Sequence, residues 1–163
     1  MDHFRIRRGT PDDQRAVAQF TARRFAWMKA HGHSPWPQTP EEVASRAAME
    51  QCPFYVLEKD DTVVGCTILL DRPGTTVFTE AERDEPSYVL TSSVTDPLYR
   101  GQRLGARIAD WAREKAAGDG RTWVRRVTTE AQLADYYKTQ GFDVLRVVER
   151  DGHPVWGMQR KAV

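Results

Sequence analysis

The sequence predicts a mixed α/β fold: a mostly antiparallel sheet of about seven strands with helices on both faces. Three observations predict it. Two pairs of β-rich runs flank short turn signals, Asp60-Asp61 and Asp151-Gly152, and read as hairpins. Two helical stretches, Gln102 to Ala117 and the run ending at Gly141, each stand between strands as crossovers. Two further helix starts, at Thr10 and Thr39, follow a lone N-terminal strand.

The elements follow in order. Phe4-Arg5-Ile6-Arg7 alternates and reads as the first strand. Thr10-Pro11-Asp12-Asp13 joins a capping residue, a proline and first-turn acids. Val17, Phe20, Trp27 and Met28 then share a helical face that ends near Gly32. Thr39-Pro40-Glu41-Glu42 repeats the start signal, with Glu42 placed for a capping box, and the helix is expected to reach about Gln51. Phe54 to Lys59 and Val63 to Leu70 form the first hairpin. Asp71 to Pro86 is polar and reads as a loop, with Thr75 to Phe78 briefly extended. Tyr88 to Thr95 is a strand. On the helix after it, Leu104, Ile108, Trp111 and Ala112 fall on one face, and Gly118-Asp119-Gly120 ends it. Thr122 to Thr128 is a strand, Thr129-Glu130 opens the last helix, and Val144 to Glu149 with His153 to Gln159 make the second hairpin.

At 163 residues the whole chain, 1–163, is expected to be one domain. The 40% hydrophobic and 29% charged residues are globular proportions. A formal net charge of +1 argues against a nucleic-acid partner. No run approaches a membrane span, so no membrane partner is expected. Met1 to Thr10 alternates charged and apolar residues and is not read as a signal peptide. Cys52 and Cys66 read as free core thiols in a reducing, cytoplasmic setting. His31 and His33 lack a third ligand at matching spacing, so no metal is expected.

The chemistry concentrates at Arg100-Gly101-Gln102-Arg103-Leu104-Gly105, between a strand and a helix. The first turn of a helix leaves backbone N–H groups without partners and carries partial positive charge. Such a site holds a diphosphate well. Gly101 and Gly105 let the backbone approach a ligand, and Arg100, Arg103 and Arg107 supply forked donors suited to phosphate.

The stretch Val94 to Gly105 resembles the acyl-coenzyme-A-binding motif of the GCN5-related N-acetyltransferases, Gln/Arg-x-x-Gly-x-Gly/Ala. Arg100 and Gly105 match its ends. Arg103 stands where the pattern has its middle glycine, which implies an ordinary helical φ there and a side chain pointing outward. Ala134 to Phe142 is similar to a later motif of that family, an aromatic pair on a helix followed by Gly-Phe. The resemblance is weak before Phe54 and good from Tyr88 onward.

The resemblance implies an acetyl-CoA-dependent N-acetyltransferase that acts by direct attack of a small-molecule or peptide amine. It implies cofactor contacts from Val94, Thr95, Arg100, Gly101, Gln102, Arg103, Leu104, Gly105 and Ala106, with the backbone of Val94 and Thr95 pairing with the pantetheine amides. It places the general acid at Tyr137, four residues before Gly141; Tyr136 is the weaker alternative, and either tyrosine also fits a core position. No general base stands out: Ser92 and Ser93 lie on the central strand, while Glu80, Glu82 and Glu85 read as a solvated loop before it. The His31 to Pro37 loop, with Trp36 between prolines, falls where the family builds part of its acceptor pocket. Family members often dimerise, so a homodimer stays open. The alternative function is a non-catalytic acyl-CoA-binding protein of the same fold.

Overall fold

The computed structural model describes residues 2–163. Its strands are β1 (Phe4–Arg8), β2 (Phe54–Lys59), β3 (Thr62–Leu70), β4 (Ser87–Thr95), β5 (Trp123–Thr128), β6 (Asp143–Arg150) and β7 (His153–Lys161). Its helices are α1 (Gln14–Ala30), α2 (Pro40–Ser45), α3 (Glu80–Arg83), α4 (Leu104–Gly118) and α5 (Ala131–Lys138). The strands form one mixed sheet in the order β1-β2-β3-β4-β5-β7-β6. This is the fold class the sequence predicts. The chain divides into two compact units, one running to Ile68 with Ser92–Ile108, the other Leu69–Thr91 with Ala109–Val163.

In the first unit, β1 and β2 pair antiparallel from Phe4 opposite Lys59 to Arg8 opposite Tyr55. Asp60 and Asp61 carry φ +47° and +69°, the left-handed pair that a two-residue hairpin turn needs. Alternation puts Phe54 and Val56 of β2 on one face with Cys66 and Ile68 of β3. Val17, Phe20 and Phe25 of α1 and Val43, Ala44 and Ala47 cover that face. Thr39 and Glu42 close the predicted capping box, each backbone N–H bonding the other's side chain at 3.1 Å. α2 is shorter than predicted: a 3-10 turn, Arg46–Ala48, replaces its last stretch. Ala47 is the last residue there with a core to enter, and Met49 is 53% exposed.

In the second unit, β4 and β5 pair in parallel from Ser87 opposite Trp123 to Val89 opposite Arg125. β7 pairs antiparallel with both β5 and β6. The β6–β7 turn is again left-handed, at Asp151 and Gly152. The segment 71–86 is not the polar loop expected from its composition. Val77 and Phe78 are buried against Val155, with Leu145 and Val148 alongside. α3 follows at once, opened by a Thr79–Glu82 capping box. Two apolar residues and a single helical turn are too short to register as a period.

That apolar pair explains Gly157. A Cβ on Gly157 would collide with Val77 Cγ1 and also crowd Val77 Cβ at 3.2 Å. Val77 branches at Cβ and has little room to turn away. Gly157→Ala is therefore expected to cost about 1–3 kcal/mol by overpacking, read as a lower urea midpoint. Adding Val77→Ala should recover part of the loss; a Gly157→Ala protein as stable as wild type rules the collision out.

Glu82 is committed to structure rather than solvated, which corrects the loop reading for it, and the exposed Glu85 is held by Arg125. Arg125 of β5 is 1% exposed. Its guanidinium donates to the Glu82 carbonyl and the Glu85 carboxylate, each at 2.6 Å, and to Gln159 Oε1 at 3.0 Å. The Glu82 carboxylate takes both terminal nitrogens of Arg146 and the Thr79 N–H. Arg146 in particular holds Glu82 down to about 2. A depressed carboxylate supplies stability that is complete above its unfolded value, about 4.3. That stability is lost as the pH falls from there through about 2. Glu82→Gln should thus melt below wild type at pH 7, with the two curves converging as the pH approaches 2. A gap that is constant with pH would show that the charge is not what Glu82 contributes.

Candidate functional site

In the first unit the site is assembled at the end of β4. Ser92 takes φ +53° in mid-strand, a left-handed conformation that a non-glycine residue adopts only where its surroundings impose it. The strand then continues to Thr95. Two consecutive arginines of α1 fix its end. Arg24 donates from Nε to the Thr95 carbonyl and from Nη2 to Thr95 Oγ1, both at 2.9 Å. Arg23 meets Asp96 with two nitrogens, at 3.1 and 2.6 Å. Asp96 is 2% exposed, and its Oδ1 also accepts the Leu98 N–H at 3.0 Å, capping the 3-10 turn Pro97–Tyr99. The neighbouring carboxylate raises the Arg23 guanidinium above its ordinary value.

The basic turn follows. Gly101 has φ +88° and Arg103 φ +58°, and α4 begins at Leu104. Both details correct the sequence reading, which started the helix at Gln102 and gave Arg103 a helical φ. The turn keeps the left-handed geometry that suits a glycine, and Arg103 adopts it at a cost of about 1–2 kcal/mol. Arg100 and Arg103 are exposed. Neither has a protein acceptor or ion-pair partner among the described residues. Arg107 is committed: it donates to the Gln102 carbonyl at 3.0 Å, and its guanidinium lies 3.7 Å from the centre of the Phe4 ring. Lys59 of β2 pins the loop by donating to Gln102 Oε1 at 2.6 Å. On α4, Leu104, Ile108, Ala109, Ala112 and Ala116 are buried. Its first-turn amides, from Leu104 through Ala106, are the ones a helix leaves without internal acceptors. Free amides, a left-handed turn and two uncommitted guanidinium groups together present a donor set that fits a diphosphate.

Val94, the other predicted strand contact, is 3% exposed. Its carbonyl stands 3.3 Å from where a Cβ on Gly65 would lie. The Cys66 thiol is fully buried; burial pushes it up to about 12, against the opposing effect of its bond to the Val94 backbone. Burial also raises the Cys52 thiol. Neither cysteine is a thiolate at neutral pH, so neither is an activated nucleophile. Trp27 of α1 stacks on His31 of the α1–α2 loop at 4.0 Å, and Trp36 of that loop packs edge-on against Phe25 of the core. No group of three or more metal-ligating side chains occurs among the described residues, and no helix there is long and apolar enough to cross a membrane.

In the second unit, Tyr137 lies on α5, half-buried. Gly141, at φ +91°, ends the helix, and the Phe142 N–H returns to the Tyr137 carbonyl at 3.2 Å. That turn buries Phe142, whose ring meets Tyr137 edge-on at 6.5 Å. A side chain on Gly141 would press into Arg160. The Gly-Phe pair therefore sets where the tyrosine stands. Tyr136 is 47% exposed, so it is not a core residue. The Tyr137 ring is covered by Arg126 of β5, whose Cζ lies 3.6 Å from the ring centre. Arg23, Arg24, Lys59 and Arg126 were not singled out from the sequence. Only adjacency of basic residues marks three of them there, and such pairs are commonplace on solvated surfaces.

The sequence profile of the acetyltransferase (GNAT) family matches residues 19–142. The chain belongs to the GNAT acetyltransferase family. The match takes in both the basic turn and the Tyr137–Phe142 region. Among solved structures, the chain is similar to a GNAT-family protein from Desulfovibrio desulfuricans, with 18% identity, full coverage of both chains and a TM-score of 0.69. It is similar to the PaiA N-acetyltransferase of Thermoplasma acidophilum, solved in complex with coenzyme A, with 17% identity, 98% of this chain and 99% of that one covered, and a TM-score of 0.67. It is also similar to the ribosomal-protein-S18-alanine N-acetyltransferase of Escherichia coli, at 16% identity over 98% and 94% of the two chains, TM-score 0.65. At these identities the likeness is one of fold. The chain matches no curated protein sequence.

Proposed function

We propose that this GNAT protein transfers an acetyl group from acetyl-CoA to a primary amine by direct attack, with Tyr137 as general acid. The observation that carries the reading is the basic turn, where left-handed Gly101 and Arg103 lead into the amides of α4 beside the uncommitted Arg100 and Arg103. These groups, with Gln102, Leu104, Gly105 and Ala106, would hold the pyrophosphate. The backbone of Val94 and Thr95 would receive the pantetheine arm, and a strand amide there would stabilise the oxyanion. The coenzyme A bound to the Thermoplasma relative supports the choice of ligand.

The chemistry then needs few groups. The neutral amine attacks the thioester carbonyl carbon, a C–N bond forms and the carbonyl π pair moves to oxygen. Collapse of that oxyanion breaks the C–S bond. Tyr137 gives its hydroxyl proton to the departing sulfur and is reprotonated from solvent, while the new amide nitrogen loses its extra proton to water. The buried, protonated state of Cys66 fits transfer without a covalent enzyme intermediate.

The test is to incubate the protein with acetyl-CoA and a panel of amines, small molecules and peptides alike, and to follow free thiol. Amine-dependent thiol release is expected. Tight acetyl-CoA binding with no turnover on any amine would favour a non-catalytic CoA-binding role.

A further inference from the structure

Arg126 is a buried charge with no carboxylate to neutralise it among the described residues. It is 5% exposed, its Nε has no hydrogen-bond partner, and among the described residues no carboxylate pairs with it. Its strand neighbour makes the contrast plain. Arg125 points to the opposite face of β5 and spends its guanidinium on Glu85, Gln159 and the Glu82 carbonyl. Around Arg126 stand instead the Tyr137 ring at 3.6 Å, the Phe142 ring at 5.7 Å, and no anion. Burial lowers the Arg126 guanidinium from its ordinary value, and the neighbouring tyrosines, Tyr137 before Tyr136, work against that. An arginine starts so high that it keeps its charge regardless. A lone buried cation is expensive, and replacing such charges by apolar side chains is often neutral or stabilising. Packing alone would be better served here by methionine or leucine.

We propose that Arg126 is a positioning residue for Tyr137: its guanidinium fixes the ring by its face and supplies the positive charge against which the phenol releases its proton. The proposal rests on Tyr137 being the general acid. When the proton leaves for the sulfur, negative charge forms on the phenol oxygen. A fixed cation held in a buried position against the ring stabilises that charge more than a water-exposed group would. The cost of burying the guanidinium in the resting protein is thereby returned in the step that needs it.

Arg126→Met and Arg126→Gln remove the charge; Arg126→Lys keeps it. In the Met and Gln variants kcat is expected to fall by about ten- to a hundredfold, with the KM for acetyl-CoA unchanged and the melting temperature equal to or above that of wild type. Arg126→Lys should recover part of kcat. In a Tyr137→Phe background, Arg126→Met should add no further loss, because the two act as one unit. A purely structural arginine would lose stability and activity together. Failure of both neutral variants to fold, or wild-type kcat in either of them, overturns the proposal. Full turnover by Tyr137→Phe alone defeats the acid reading itself, and that result is separate from Tyr137→Phe being slow while Arg126→Met is indifferent, which defeats only the role of Arg126.

Discussion

Tyr137→Phe is expected to lower kcat by about a hundredfold or more while leaving coenzyme A binding unchanged. A positioned general acid contributes about 10²–10⁴ to a rate, and the substitution removes one hydroxyl and little else. Phenylalanine keeps the edge contact with Phe142 and the face offered to Arg126, so the melting temperature should hold. The two readouts separate the roles the sequence left open. A core tyrosine would register in stability; an acid registers in turnover at saturating acetyl-CoA. The half-exposed Tyr136 serves as the control, and Tyr136→Phe should leave kcat within about twofold. Steady-state kinetics with a responsive amine, alongside calorimetric titration of coenzyme A, makes the comparison. Unchanged kcat in Tyr137→Phe would assign the proton to another donor, water included.

Much of the fold was legible because its signals are local. Asp60-Asp61 and Asp151-Gly152 announce their hairpins through residues that tolerate left-handed backbone, and both turns are left-handed in the structure. The Thr39–Glu42 box is a short-range bond pair that a four-residue window contains whole. The face of α4 follows from helical spacing. What escaped depends on residues distant in the chain. Val77 and Phe78 sit in a polar stretch and become core only because Val155 lies across from them. Glu82 and Glu85 look like solvated acids until Arg146 and Arg125 arrive from later strands. At the site, the basic turn and the Gly-Phe pair could be read, but the supports could not. Asp96 was visible as a turn residue; Arg23, which clamps it across 73 positions, was not. The φ of Arg103 shows the same limit. Its side chain argued for a helical backbone, yet the turn between Gly101 and Leu104 imposes a left-handed one. The demands of the loop override the preference of the residue.

Those supports also decide how the basic turn must be probed. Substituting Asp96 or Arg23 would loosen β4 and the turn together, and any loss of coenzyme A would be ambiguous. Gly105→Val is cleaner. Gly105 lies inside the first turn of α4, where valine is intrinsically a better helix former than glycine by a few tenths of a kcal/mol. The substitution should therefore leave the melting temperature of the free protein the same or slightly higher. It nevertheless places a branched side chain beside amides that a diphosphate must approach closely. Coenzyme A affinity should fall by about tenfold or more, and the thermal upshift produced by saturating ligand should shrink accordingly. Arg100→Gln tests the same site through charge: its effect should diminish as salt is raised, because an exposed guanidinium acts through a screened field, whereas the steric effect of Gly105→Val should persist. Calorimetry at two ionic strengths distinguishes them. If Gly105→Val binds coenzyme A as tightly as wild type at both, the pyrophosphate does not rest on the start of α4, and the acyl donor must be sought elsewhere on the molecule.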